Sequence, residues 1–314
     1  MRIITDNKSA INQINLIHNL SWDHLIVLDA CRYDYFAKLW KLTQYTVYKA
    51  KSPASWTLEW LSSVFTKKFP NTVVFSANPY INNSNKETCV SGICWKAKDK
   101  FERVIEVWKI AWSDKLMTVP PWRLYRIVRV NTEVWKRTQK MKRSIIWFIQ
   151  PHYPYLSEEF VNMLKKITYK SSGEDFLKGS LDHMIRNTLN KIISHNWKLL
   201  ARMYEDNVKI VLNYVYKLIK NLDGTIVVTS DHGELLGENL IKVIISSLVN
   251  IIHESLLNDF NIFTRKSLIL KETFHKLLTK KSTARGYFYG IRVFFHPPLL
   301  YSSELRYVPL VVID

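Results

Sequence analysis

Short apolar runs that stop abruptly at an acidic or polar residue constrain this chain more than any other feature. His24 to Asp29 (HLIVLD) has the character of a strand buried on both faces, and it ends on a carboxylate. The carboxyl edge of such a strand is where open α/β sheets bind ligands, so Asp29 is expected at a functional edge. The clearest unit lies later. Leu199 to Leu222 has helical spacing, Asp223-Gly224 closes it, and Thr225 to Thr229 (TIVVT) reads as a strand ending at Ser230-Asp231-His232. Thr72 to Ala77 (TVVFSA) and Ser144 to Ile149 (SIIWFI) have the same strand character, each followed by a Pro-containing segment, and Val308 to Ile313 reads as one more strand. This alternation predicts an α/β fold, a mostly parallel sheet sandwiched by helices.

With 314 residues, 47% of them hydrophobic, the chain can bury one large core, and a single domain over 1–314 is expected. A helical insertion is expected at about 239–290, where an Ile/Leu-rich stretch precedes Arg- and Lys-bearing segments. That region is compatible with ordinary packing, a protein-partner surface or an amphipathic membrane contact. Leu240 to Leu257 comes nearest to a membrane span, yet it carries Lys242, Asn250, His253 and Glu254 and falls short of the ~18 uninterrupted apolar residues required. Lys and Arg outnumber Asp and Glu by 45 to 27, a net charge of +18, which favours anionic partners such as phosphate or sulfate esters, nucleic acid or acidic lipid. No nucleic-acid-binding motif accompanies the charge. Cys31, Cys89 and Cys94 are too few for a disulfide framework, and the N-terminal residues do not read as a secretory signal, so a reduced, cytoplasmic setting is expected. The oligomeric state stays open.

Thr229-Ser230-Asp231-His232-Gly233-Glu234 sets a carboxylate and an imidazole side by side directly after a strand, and two such ligands at a strand tip can hold a divalent cation. Gly233 is expected to let the chain turn behind them. An Asp-His pair is also compatible with a capping acid beside a surface histidine, so the hexapeptide alone decides little.

TSDHGELLGE (229–238) resembles the metal-binding signature of the alkaline phosphatase and sulfatase superfamily, and other stretches resemble the same family in the expected order. LIVLDACRYDYF (25–36) resembles its opening strand, which implies Asp29 as a metal ligand with Arg32 and Asp34 close behind. SPASWTLEWLSSVFT (52–66) resembles the nucleophile turn and the helix after it, which implies Thr57 as nucleophile, although Ser52 and Ser55 lie nearby and Thr is also a common helix cap. QPHYPY (150–155) resembles the loop that supplies a substrate-side histidine, here His152. His296, before PPLLYSSELRYVPLVV, resembles the later histidine of the family.

The resemblance implies an alkaline-phosphatase-like fold and a divalent ion, zinc or manganese, held by Asp29, Thr57, Asp231 and His232. One ion is favoured and a second is not excluded, since no acid between Asp34 and Asp231 presents itself to join His152 and His296. It implies an anionic ester as substrate, Thr57 attacking to form a covalent intermediate, His152 and His296 in catalysis, and Arg32 in substrate binding or in an ion pair with Asp34. Formylglycine sulfatases carry Cys or Ser followed by x-Pro-x-Arg, whereas this chain has Thr57-Leu58-Glu59-Trp60-Leu61, which favours a phosphate ester and an archaeal-type branch with an unmodified Thr. A sulfuric ester hydrolase and a catalytically weak binding protein of the same fold are the alternatives.

Overall fold

The computed structural model describes residues 10–90, 92–98, 100–140, 142–165, 174–175, 180–258, 288–289, 292–297 and 300–314. In chain order the strands are β1 (Ile11–Asn12), β2 (His24–Asp29), β3 (Tyr48–Lys51), β4 (Phe69–Ser76), β5 (Thr88–Val90), β6 (Ile93–Trp95), β7 (Phe101–Glu106), β8 (Arg143–Pro151), β9 (Ile226–Ser230), β10 (Leu235–Asn239), β11 (Phe288–Tyr289), β12 (Arg292–Phe295) and β13 (Tyr307–Ile313). The helices are α1 (Gln13–Asn19), α2 (Tyr33–Leu39), α3 (Thr57–Val64), α4 (Val107–Ile110), α5 (Pro121–Thr138), α6 (Glu158–Leu164), α7 (Ser180–Ile219), α8 (Leu240–Asn258) and α9 (Ser303–Arg306). Helix α7 is broken at Asn196, where the backbone leaves the helical region.

Eight strands form one sheet in the order β1-β3-β13-β9-β2-β8-β4-β7. Strand β13 runs antiparallel to β9 and β3, and the remaining pairs of this sheet are parallel. The mostly parallel α/β sheet expected from the sequence is therefore present. Both its faces are buried, because alternate side chains along each central strand feed opposite layers. Leu25, Val27, Ile145, Trp147 and Val227 pack with Ile17 of α1 and Leu58, Leu61 and Val64 of α3. Ile26, Leu28, Ile146, Phe148 and Val228 pack on the other face with Phe36 of α2, Leu124 and Val128 of α5, and Val208 and Leu212 of α7.

Strand register is what gathers the polar ends. Strand β2 lies between β9 and β8, with Leu28 opposite Ser230 and Asp29 opposite Pro151, so Asp29, His152 and Asp231 leave the sheet at one edge. Strand β13 enters from that same edge, since Tyr307 stands opposite Lys51 at the end of β3, from which the chain runs on to Thr57. In a separate three-stranded sheet, β10 pairs antiparallel with β12, Leu235 opposite Phe295, and this register brings residue 296 beside residue 234.

One cysteine expectation is corrected. Cys89 and Cys94 form a disulfide, because the β5–β6 hairpin sets them directly opposite each other, while Cys31 is buried and unpaired. A disulfide of this kind belongs to an oxidising compartment more often than to a reducing one, which removes the cysteine argument for the cytoplasm. No helix among the described residues is long and apolar enough to cross a membrane. Of the expected insertion at 239–290, residues 240–258 are helical, 288–289 are strand, and 259–287 lie outside the described residues.

The turn after β2 carries local strain. Ala30 adopts a left-handed backbone (φ 58°), a conformation that costs a non-glycine residue roughly 1–2 kcal/mol. The buried Tyr204 of α7 clamps it: its hydroxyl donates to the Ala30 carbonyl (2.7 Å) and accepts from the Arg32 N–H (2.8 Å). Tyr204→Phe strips a partner from both buried backbone groups and is expected to lower stability by about 1–3 kcal/mol. Urea denaturation measures this, and an unchanged midpoint would contradict the clamp.

Candidate active site

Four side chains from three turns converge at the sheet edge. Thr57 is the first residue of α3, and its Oγ1 donates to Asp231 Oδ2 (2.8 Å) and lies 3.4 Å from His232 Nε2. His232 Nε2 is 3.4 Å from Asp231 Oδ2 and 3.8 Å from Asp29 Oδ1. All four residues are buried. Ser52 and Ser55 are committed elsewhere: Ser52 Oγ donates to the Asp231 carbonyl, and the Ser55 N–H donates to Glu59 Oε2. Thr57 is thus the hydroxyl of this turn that faces the carboxylate and the imidazole.

Each of these groups is aimed by a partner behind it. His232 Nδ1 faces the Gly233 carbonyl at 2.8 Å, an acceptor only, so Nδ1 carries the proton and Nε2 presents its lone pair to the centre. Asp231 Oδ1 accepts from the Ala30 N–H (3.0 Å) and the His232 N–H (2.9 Å), which turns Oδ2 towards Thr57. Asp29 Oδ2 accepts from Asn78 Nδ2 (2.6 Å) and Trp147 Nε1 (3.2 Å), while among the described residues Asp29 Oδ1 has no hydrogen-bond donor. Burial and the neighbouring Asp231 hold the Asp29 carboxyl well above the usual carboxylate range, against the two hydrogen bonds that pull it down.

These residues fit a divalent cation. A buried carboxylate oxygen lacking a donor, a second carboxylate beside it and an imidazole lone pair are the donor set such an ion takes, and a cation reverses the repulsion between the two acids. The separations of 2.8 to 3.8 Å bracket the roughly 3.3 Å edge of a tetrahedron with ligands about 2.0 Å from its centre.

A second cluster adjoins the first. His152, Glu234 and His296 offer ligand atoms within 4.8 Å of one another, as do Asp29, Asp231 and His232. His296 Nδ1 donates to Glu234 Oε1 (3.0 Å), and the His296 ring centroid lies 4.7 Å from that of His232 and 4.9 Å from that of His152. Glu234, inside the hexapeptide that carries Asp231 and His232, is thus the acid that stands with His152 and His296. No residue-level signal assigned it, because its partner is 62 positions away and is delivered by the β10–β12 register. Asn78 was legible by the rule that found Asp29, being polar at the carboxyl end of a buried strand.

Of the two roles expected for Arg32, the ion pair with Asp34 is present. The Arg32 guanidinium donates to Asp34 (2.9 and 2.7 Å), to Glu238 and to the Glu234 carbonyl (3.2 Å), so it braces the chain that follows Asp231 and His232. Burial alone would lower its pKa, but the Asp34 hydrogen bonds and the Glu238 charge reverse this and hold it above its ordinary value. The reason expected for Gly233 also changes. A Cβ there would stand 1.9 Å from the Glu304 carbonyl oxygen, so glycine is required by the close passage of the 304–305 backbone, to which its N–H donates (2.8 Å to Leu305).

No protein-family model matches the sequence, and no curated protein matches it. Among solved structures the chain is similar to the integral membrane lipooligosaccharide phosphoethanolamine transferase A of Neisseria meningitidis, with 12% identity and a TM-score of 0.43 over 97% of this chain and 51% of that one. The soluble domain of that enzyme gives 12% identity and a TM-score of 0.44 over 92% and 75%. The C-terminal periplasmic domain of phosphoethanolamine transferase EptC from Campylobacter jejuni gives 11% and 0.42 over 92% and 78%. The chain spans about half the length of the first of these. Likeness at this level concerns overall shape, and the chemistry rests on the residues themselves.

Gly233→Ala is expected to displace the 304–305 backbone and with it the His232 ring anchor. Purified variant protein is expected to take up less added zinc or manganese than the wild type and to be destabilised by about 1–3 kcal/mol, as read by metal titration and urea denaturation. Full metal occupancy would show that the close approach does not matter.

Proposed function

We propose that this chain is a metal-dependent phosphoesterase of the alkaline phosphatase and sulfatase superfamily, with Thr57 as its nucleophile. The observation that carries this reading is the convergence of the Thr57 hydroxyl with Asp29, Asp231 and His232. Asp29, Asp231 and His232, together with Thr57, would hold a divalent cation, zinc or manganese, which supplies acidification of the Thr57 hydroxyl and charge neutralisation at the ester oxygens.

Thr57 heads α3, where unsatisfied backbone N–H groups and the positive end of the helix favour an anionic phosphoryl group. Thr57 Oγ1 attacks phosphorus, a Thr57–phosphorus ester bond forms, and the bond to the leaving oxygen breaks. The hydroxyl proton departs along the existing hydrogen bond to Asp231 Oδ2. The leaving oxygen takes a proton from His296, whose imidazolium is supported by Glu234 at Nδ1. His152 lies beside His296 and contributes to neutralising the nonbridging oxygens. In the second half-reaction an incoming hydroxyl gives its proton to His296 and attacks phosphorus, and Thr57 recovers its own proton as it leaves. Water as the acceptor makes the chain a hydrolase; an alcohol makes it a transferase.

The unmodified threonine favours phosphate over sulfate esters, because the formylglycine route needs a Cys or Ser with x-Pro-x-Arg after it, and Leu58-Glu59-Trp60-Leu61 follows Thr57. Metal content and turnover of an aryl phosphate, an aryl phosphodiester and an aryl sulfate test the reading. Thr57→Ala is expected to retain metal and lose at least a thousandfold in turnover, about 4 kcal/mol, whereas Asp231→Ala loses both. One ion per chain is expected, and two would put a second on His152, Glu234 and His296. Undiminished turnover by Thr57→Ala would remove it as nucleophile. Metal bound without turnover of any ester would leave a binding protein of the same fold.

A further inference from the structure

Helix α8 (Leu240–Asn258) carries apolar side chains on its outward side as well as on the side that packs against the protein. The side facing the protein combines apolar packing of Val243 and Ile251 with polar contacts. Asn250 Nδ2 donates to the Tyr301 carbonyl (2.8 Å), Ser247 Oγ accepts from the Tyr301 N–H (3.2 Å), and Ser246 Oγ accepts from the Ser303 N–H (3.1 Å). Val243 and Ile251 fill in around them and are buried. The outward side is apolar: Ile241, Ile245, Leu248, Val249 and Ile252 are 62%, 56%, 41%, 59% and 48% exposed. Their positions, i, i+4, i+7, i+8 and i+11, fall on one stripe about 100° wide.

A soluble surface normally places scattered apolar residues among charges, and a contiguous apolar stripe marks a contact face. On the stripe's margin stands the exposed Lys242. The inward polar contacts also fix the helix in this orientation, because rotating it to bury the stripe would strip Asn250 and Ser247 of their partners.

We propose that the outer face of α8 docks the protein onto an anionic membrane surface, lying in the interfacial plane without crossing the bilayer. Charge complementarity selects this occupant. The chain carries a net charge of +18, and the sequence that continues from α8 over 259–287 holds seven Lys or Arg against two Asp or Glu. An apolar helical stripe within a basic protein combines the two contributions that hold an interfacial helix on acidic lipid, insertion of aliphatic side chains and attraction of cationic groups. A second copy of this chain is equally basic, and stacking two such faces would bring like charges together. This inference stands apart from the phosphoesterase reading, since it uses none of the metal-site residues.

Co-sedimentation of the full chain with vesicles of equal parts phosphatidylcholine and phosphatidylglycerol, and with vesicles of phosphatidylcholine alone, tests it. Binding is expected to the anionic vesicles, to weaken as salt is raised, and to be at least tenfold weaker on phosphatidylcholine alone. The double variant Ile245→Gln and Val249→Gln changes two exposed side chains without changing charge. It should melt as the wild type does and bind the anionic vesicles at least tenfold less tightly. Binding by this variant equal to that of the wild type, or no binding by the wild type, would overturn the proposal. Light scattering that showed a dimer dissociated by the same variant would also overturn it and give the face to a second copy.

Discussion

Asp231 is the joint on which the sheet edge turns. One of its oxygens holds the N–H of Ala30 and of its own neighbour His232, which ties the ends of β2 and β9 together, and the other receives the Thr57 hydroxyl. Its carbonyl meanwhile accepts from Ser52, in the turn that leads to Thr57. A single buried residue thus links three connections that are far apart in sequence, and each of the other polar side chains finds its direction relative to it. The left-handed Ala30 belongs to the same arrangement: in that conformation its N–H faces Asp231 and its carbonyl faces Tyr204.

Charge is distributed at two scales with opposite sign. The chain as a whole is strongly basic, yet Asp29, Asp231 and Glu234 are buried together within one small region. The interior carboxylates call for a cation, and the exterior field draws anions from solution. Arg32 mediates between the two. It is buried beside the acids but spends its donors on Asp34, Glu238 and a backbone carbonyl, so it stiffens the motif without neutralising its centre.

Much of this was legible in sequence, and for a physical reason. Strands buried on both faces must be nearly continuous apolar runs, so β2, β4, β8, β9 and β13 announced themselves within a residue or a few of their ends. Polar residues at the tips of such runs stand out, and Asp29, Asp231 and His232 do lie together. The edge and hairpin strands did not stand out: half of the residues of β7 (FERVIE) are charged, with no regular alternation, β1 and β11 are two residues long, and β10 contains Gly237. Pairings set by register were hidden for a similar reason. Nothing in local pattern says that Glu234 meets His296, that Cys89 faces Cys94, or that Arg32 spends itself on Glu238. Which of the apolar residues of α8 face outward was hidden too, since the helix carries them on both sides.

The β10–β12 pairing bears on more than the placement of His296. Two strands zipped at the base of an excursion hold its exit and its return at fixed points, and the closure entropy of the excursion rises only slowly with its length. The sequence between Asn239 and Arg292 can therefore lengthen, shorten or be exchanged for another with little effect on where Glu234 and His296 stand. In evolutionary terms this makes the hairpin base a socket at which the neighbouring sequence can be rewritten while Glu234 and His296 keep their places beside Asp231 and His232.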